Sequence, residues 1–426
     1  MIEAFRLGIV PHDCVSDFIF GRTAEIGHFT NWLHSPDSSS LVVAGEYGSG
    51  KTHLLHYIYG CAQQEGFAVA LVEMDPNESP FHRPKQVYRR FVQNLQFCET
   101  ETGYPKILGF REFIQEAVAR GALEDHTYFK CLIDRSVDET LWEWIEARDV
   151  SLRPPSVYQQ TKLNIGQGNI NTDERNLKRM EEMLKEVQRF VDGRGARSLG
   201  LMPPEGSPNL PGLYPYYKAA NIYCYLLSAL GWAAKAVLGL KGLLLIFDEA
   251  ETVDSYDNLY QADKSQNFLR ALVRTADSDD RLLTSPTKTD LDYCQVGIGR
   301  SIPFLYKQPS GLKLLFAFTP IDTQKSGSLS TVSSELEASF RIDLEPLAEA
   351  SQKTLFEHVY VHYKSVYDDF KAGLPANTLD AIFRRLIRIP GPVRMFVKAT
   401  VETLDLIRTS QLCGLDAAQV LDEVLS

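Results

Sequence analysis

An α/β fold is predicted for this chain: a parallel sheet covered by helices on both faces, a large helical insertion, and a C-terminal helical domain. Three observations lead to that prediction. Apolar runs of strand length alternate with helix-length amphipathic segments near both ends of the 426 residues, the pattern of parallel strands joined by crossover helices. A glycine loop, Gly45-Glu-Tyr-Gly-Ser-Gly-Lys51-Thr52, follows the apolar run Leu41-Val-Val-Ala44 and opens a helical segment. From about 100 to 240 strand alternation is missing, and from Glu349 onward the pattern is helical throughout. The expected divisions are a first core segment 1–99, an insertion 100–240, a second core segment 241–347 and a helical domain 348–426.

Taken in order, residues 1 to 40 read as a lead-in with Val10-Pro11, then Phe20-Gly-Arg-Thr-Ala-Glu25, then an amphipathic helix ending before Pro36. The strand Leu41 to Ala44 and the helix Thr52 to Cys61 flank the glycine loop. Gly66 to Asp75 is a second strand, apolar enough to be buried on both faces. A proline-bounded loop, Asn77 to Pro84, precedes a helix from Gln86 to Phe97. Within the insertion, helical periodicity fits Gly109 to Arg120, Asp138 to Ala147 and Asn176 to Val191. A connector rich in proline and glycine, Pro203 to Gly212, leads to an apolar helix, Tyr216 to Leu238. Gly242 to Glu249 returns to strand, and Lys264 to Ala276 to helix, followed by a polar loop from Asp277 to Thr289. Leu312 to Phe318 and Phe340 to Leu344 are the last two strands.

The order strand, glycine loop, helix is what a phosphate-binding P-loop requires. Its glycines let backbone N–H groups turn inward around phosphate oxygens. Lys51 would neutralise phosphate charge, the Thr52 hydroxyl would hold Mg²⁺, and the helix N-terminus adds its positive end. The candidate nucleotide-binding set is Gly45, Glu46, Tyr47, Gly48, Ser49, Gly50, Lys51, Thr52 and His53. The side chains of His53 and His56 are themselves expected to pack or face solvent beside the helix. Four apolar residues followed by Asp248-Glu249 form a Walker B element. Asp248 would hold the Mg²⁺ water shell, and Glu249 would orient and deprotonate the attacking water. Glu251 reads either as a surface acid or as a second carboxylate near the metal.

Two further residues have double readings. Thr319 lies where a hydroxyl would reach the γ-phosphate or simply cap the strand before Pro320. Arg394, in Gly391-Pro-Val-Arg394 near a helix start, would reach the β- and γ-phosphates or form a surface ion pair.

These motifs resemble those of the AAA+ ATPases, in the branch of origin-recognition and STAND-type proteins, over roughly 1–98 and 241–410. Phe20-Gly-Arg-Thr-Ala-Glu25 looks like the adenine-side lead-in of that branch. Gly45 to His53, Lys241 to Glu251 and Ala317-Phe-Thr-Pro320 are similar to stretches of the ATP-binding proteins of BREX phage-defence systems. The resemblance implies a three-layer AAA+ core with a helical lid. It gives Lys51, Thr52, Asp248, Glu249, Thr319 and Arg394 the Walker A, Walker B, sensor 1 and sensor 2 roles, with ATP and Mg²⁺ as cofactors. It also implies a cytoplasmic ATPase that forms homo-oligomers and works with other defence proteins on DNA. Two features depart from the pattern. About thirty residues follow Arg394, too few for the DNA-binding winged helix of origin-recognition relatives. An arginine finger is not assigned either: Arg341, Arg270, Arg274 and Arg300 are the candidates.

Composition narrows the classes. The apolar fraction of 44% and charged fraction of 23% are those of a globular protein. No apolar run reaches membrane-spanning length, and the N-terminus lacks a signal-peptide pattern. Seven scattered cysteines with no Cys-x-x-Cys argue for a reducing cytoplasm over a disulfide framework or zinc ribbon. A net charge of −11 weighs against a chain that coats nucleic acid by itself. Arg175 to Arg197 interleaves basic with acidic residues and reads as a solvated helix. His358-Val-Tyr-Val-His362 lacks the glutamate of a zinc protease, and Tyr214-Pro-Tyr-Tyr217 reads as packing rather than a base-stacking platform. Two functional classes remain: an ATP-driven motor or switch, and a nucleotide-gated binding or scaffold module with negligible hydrolysis. A P-loop kinase is disfavoured, because no acceptor pocket is recognisable.

Overall fold

The computed structural model describes residues 1–36, 38–99, 106–132, 139–148, 212–254, 258–296, 301–319, 336, 340–370, 372–389 and 391–413. The expected helix Asn176 to Val191, the Arg175 to Arg197 segment, most of the Pro203 to Gly212 connector, and Arg300 and Pro320 lie outside them.

Five strands form one parallel sheet. They are β1 (Ser40–Ala44), β2 (Ala68–Glu73), β5 (Leu243–Asp248), β6 (Leu312–Phe318) and β7 (Phe340–Asp343). The order across the sheet is β2-β5-β6-β1-β7. β1 pairs with β7 in parallel, from Leu41 opposite Phe340 to Ala44 opposite Asp343. All residues of β1 and β5 are buried, as expected for strands covered on both faces. The short strands β3 (Phe97–Glu99) and β4 (Lys106–Leu108) pair antiparallel. This corrects two expectations. The helix begun near Gln86 stops at Asn94, and strand structure reaches past residue 100, where a mainly helical region without strands was expected. Three-residue strands are too short to show alternation in a sequence.

The chain packs as two units. The first comprises 1–64, 246–251 and 315–426. It holds α1 (Ile2–Arg6), α2 (Thr23–His34), α3 (Lys51–Gln64) and the C-terminal helices α9 (Glu349–Val366), α10 (Ala376–Leu386) and α11 (Val393–Leu412). Ile2, Phe5 and Phe18 share one apolar core with Phe356, Tyr363, Phe383, Val401 and Leu404. The lead-in is therefore part of the C-terminal helical core, held there by Arg6, which donates to both Asp405 carboxylate oxygens at 2.8 and 2.9 Å and to Tyr367 Oη at 2.8 Å.

The second unit comprises 65–245 and 252–314. It contains α4 (Pro84–Asn94), α5 (Phe110–Ala119), α6 (Glu139–Ile145), α7 (Ala220–Ala236) and α8 (Leu259–Ala276). Pro84 sits in the first turn of α4, where no N–H is needed. α7 is buried on nearly every side, so its sequence is apolar all round. Its one amide, Asn221, is satisfied: it donates to the carbonyls of Cys294 and Ile302 and accepts from the Cys294 N–H. α8 starts five residues before the expected Lys264, because Asn258 caps it by accepting the Tyr260 N–H at 2.9 Å.

Candidate functional site

The loop between β1 and α3 is built at the carboxyl end of the sheet, where open α/β sheets bind ligands. The Gly45 N–H donates to the Phe318 carbonyl at 3.2 Å, and the Leu344 N–H to the Ala44 carbonyl at 2.7 Å. These bonds anchor the loop to the ends of β6 and β7. Gly48 and Gly50 have φ of +75° and +98°, values that residues with a Cβ rarely adopt. A side chain at Gly48 would also come within 2.8 Å of Pro392. Helix α3 begins at Lys51, so its first N–H groups face the loop unsatisfied by the helix itself.

Lys51 is buried, and its Nζ donates to the Gly45 carbonyl at 2.7 Å and the Glu46 carbonyl at 3.2 Å. Burial pulls its ammonium below the ordinary value, against the opposing fields of Glu251, Asp248, Glu249 and Glu46. Glu251 thus belongs to the electrostatics of the site. Thr52 Oγ1 donates to Asp248 Oδ2 at 2.7 Å across 196 residues. Asp248 is buried at the tip of β5, and that burial raises its carboxyl above the ordinary value despite the Thr52 and Glu249 donors and the Lys51 charge. A hydroxyl and a buried carboxylate form a hard oxygen donor set that fits Mg²⁺, and a cation there would restore the carboxylate's ordinary ionisation.

Glu249 follows directly, exposed, with φ of +54°. Its N–H donates to Asp248 Oδ1 at 3.0 Å. A left-handed conformation at a residue with a side chain costs on the order of 1 kcal/mol, and such strain concentrates where a side chain must be aimed.

Thr319 directly follows Phe318, whose carbonyl holds Gly45, so it stands at the same end of the sheet, half-buried. Arg394, at the start of α11, lies beside the loop. Its N–H donates to the Gly48 carbonyl at 3.4 Å, its Nη1 to Tyr47 Oη at 3.1 Å and its Nε to the Leu7 carbonyl at 3.2 Å. Tyr47 itself is 68% exposed. His53 has Nε2 3.1 Å from the Phe18 carbonyl, so one ring nitrogen faces the lead-in. His358 and His362 pack against Phe20 and Phe18. Of the finger candidates, Arg341 pairs with Asp343 on its own strand and Arg274 with Asp290. Arg270 lies on α8.

One residue at this site was not singled out from the sequence. Arg22 is only 6% exposed. Its Nη2 donates to the Ser49 carbonyl of the glycine loop at 3.0 Å, and its Nη1 to the Glu345 carbonyl and Glu25 Oε1, both at 2.8 Å. Its local signal was its place in Phe20-Gly-Arg-Thr-Ala-Glu25, directly ahead of α2.

No curated protein matches the chain. Residues 1–150, which carry the glycine loop, match the family model of the BREX system ATP-binding protein BrxC/D, and over that stretch the chain is similar to BREX-type ATP-binding proteins.

Proposed function

We propose that this chain is a Mg²⁺-dependent ATPase of the AAA+ type, acting as a nucleotide-driven motor or switch in a DNA-linked anti-phage defence complex. The observation that carries the reading is the pairing of Thr52 with Asp248. It brings the helix end of the glycine loop and the acidic strand tip together, with Lys51 in the loop and Glu249 one residue on. Thr52 and Asp248 would hold Mg²⁺, which supplies charge neutralisation at the phosphates when bound. Lys51 and the α3 N-terminus bind the phosphates, and Glu249 takes a proton from the attacking water. Arg394 responds to the nucleotide, a role supported by its bonds to Tyr47 and Leu7 beside the loop. The chain assembles with copies of itself and with other defence proteins in the cytoplasm, and the C-terminal helical domain expected over 348–426 serves as the lid.

Steady-state ATP hydrolysis across protein concentration, with and without duplex DNA, tests the proposal. Specific activity that rises with concentration and is lost in Glu249→Gln supports an assembling ATPase, and stimulation by DNA supports direct contact. Tight ATP binding without turnover under every condition would favour a nucleotide-gated scaffold. The pairing of Arg341 with Asp343 within its own strand speaks for that alternative, since it occupies one candidate finger.

A further inference from the structure

We infer that Arg22 is a positioning residue that locks the peptide between Ser49 and Gly50 in its phosphate-binding orientation; this rests on the nucleotide-site reading above. A trans peptide points its C=O and N–H in opposite directions. With the Ser49 carbonyl held outward by Arg22 Nη2 at 3.0 Å, the Gly50 N–H is turned the other way, to the inner side of the loop. Gly50, at φ of +98°, is the one residue type that tolerates either orientation of this peptide at little steric cost. A flip would replace an inward donor by an inward carbonyl oxygen and set a partial negative charge against the phosphates. The loop's own glycine therefore creates the need for a lock outside the loop.

Arg22 is built for that purpose. It is buried, and its guanidinium is fixed on two other sides by the Glu345 carbonyl after β7 and the Glu25 carboxylate one turn into α2. The fork geometry lets one side chain hold three acceptors in fixed directions, which a lysine ammonium does not do. The Ser49 hydroxyl is buried with no hydrogen-bond partner among the described residues, so the side chain of that residue adds no restraint from them.

The test is titration calorimetry of the full chain with ATP and with ADP, comparing wild type, Arg22→Lys, Arg22→Ala and Lys51→Ala. Arg22→Lys keeps the charge and is expected to weaken both nucleotides by about 10- to 100-fold, as loss of an outer-shell partner does at metal sites, with little change in melting temperature. Arg22→Ala should lose at least as much, and millimolar guanidinium should restore part of its affinity but none of that of Lys51→Ala. Wild-type affinity in Arg22→Lys together with lost binding in Lys51→Ala would overturn the role of Arg22 while leaving the site intact. Undiminished binding in Lys51→Ala would overturn the site itself. Should Arg22→Ala fail to fold, Arg22→Lys alone decides the matter.

Discussion

Glu249 is where backbone strain and proposed chemistry coincide. Its φ of +54° is accompanied by a bond from its N–H to Asp248 Oδ1. Relieving the strain should separate stability from activity. Glu249→Gly is expected to be more stable than Glu249→Ala by about 1 kcal/mol, since only the latter keeps a Cβ in the left-handed region. Urea unfolding midpoints of the two variants check this; equal midpoints would mean the strain is absent. Both should lose turnover by at least about 100-fold, the contribution of a general base. Lys51→Ala, by contrast, should fail at the earlier step of nucleotide binding, measured directly with ATP. The glycine loop between β1 and α3 and the acidic end of β5 at Asp248 were legible because each is a contiguous run of chemically constrained residues. Arg22 was not, because its partners Ser49 and Glu345 lie 27 and 323 positions away, and nothing local marks an arginine as buried.

At the scale of elements, the attachment of α1 to α9 and α11 was the least legible part of the fold. A five-residue helix has too few positions to display periodicity, and its apolar residues find partners more than 300 residues further on. Arg6 fastens it, with Asp405 accepting from Arg6 and also from Tyr363 Oη at 2.7 Å. Burial alone would raise the Asp405 carboxyl, but the Arg6 and Tyr363 donors outweigh it and hold the group below its ordinary value. A depressed carboxyl contributes stability above its unfolded pKa and loses it as the pH falls through the folded value. Arg6→Met should therefore cost about 1–3 kcal/mol at neutral pH, the cost of leaving a charged group short of its donors. The gap to wild type should narrow below about pH 4, the unfolded carboxyl value. Denaturant titrations at pH 7 and pH 3.5 measure both; a gap independent of pH would remove Asp405 from the account. The strand-loop-helix order of the first core segment, in contrast, was readable, because buried strands such as β1 and β5 are uniformly apolar and short.

For the molecule as a whole, acid stability is expected to rest on a buried histidine of the second unit. His126 is fully buried among Phe129, Tyr225 and Tyr306, and its Nδ1 accepts the backbone N–H groups of Tyr128 and Phe129 at 3.2 and 3.1 Å. Those two donors require Nδ1 to be unprotonated. Burial, with a lesser push from Lys307 and against the pull of the Tyr225 backbone and Asp125, lowers the ring to about 3. Its unfolded value is about 6.5. Below that value the unfolded chain binds a proton that the folded chain refuses, so stability falls as the pH drops from about 6.5 toward about 3. The slope from this one group approaches about 1.4 kcal/mol per pH unit. His82, buried and lowered to about 4, adds to the same trend. His126→Asn offers an amide oxygen to the same N–H groups without a titrating ring. It should be less stable at pH 7, because the aromatic contacts are lost, yet flatter in its dependence between pH 6.5 and 4.5. Melting temperature against pH for both proteins decides the matter. Parallel curves would show that His126 does not govern the acid limb, and convergence toward low pH is the outcome its buried, doubly hydrogen-bonded ring requires.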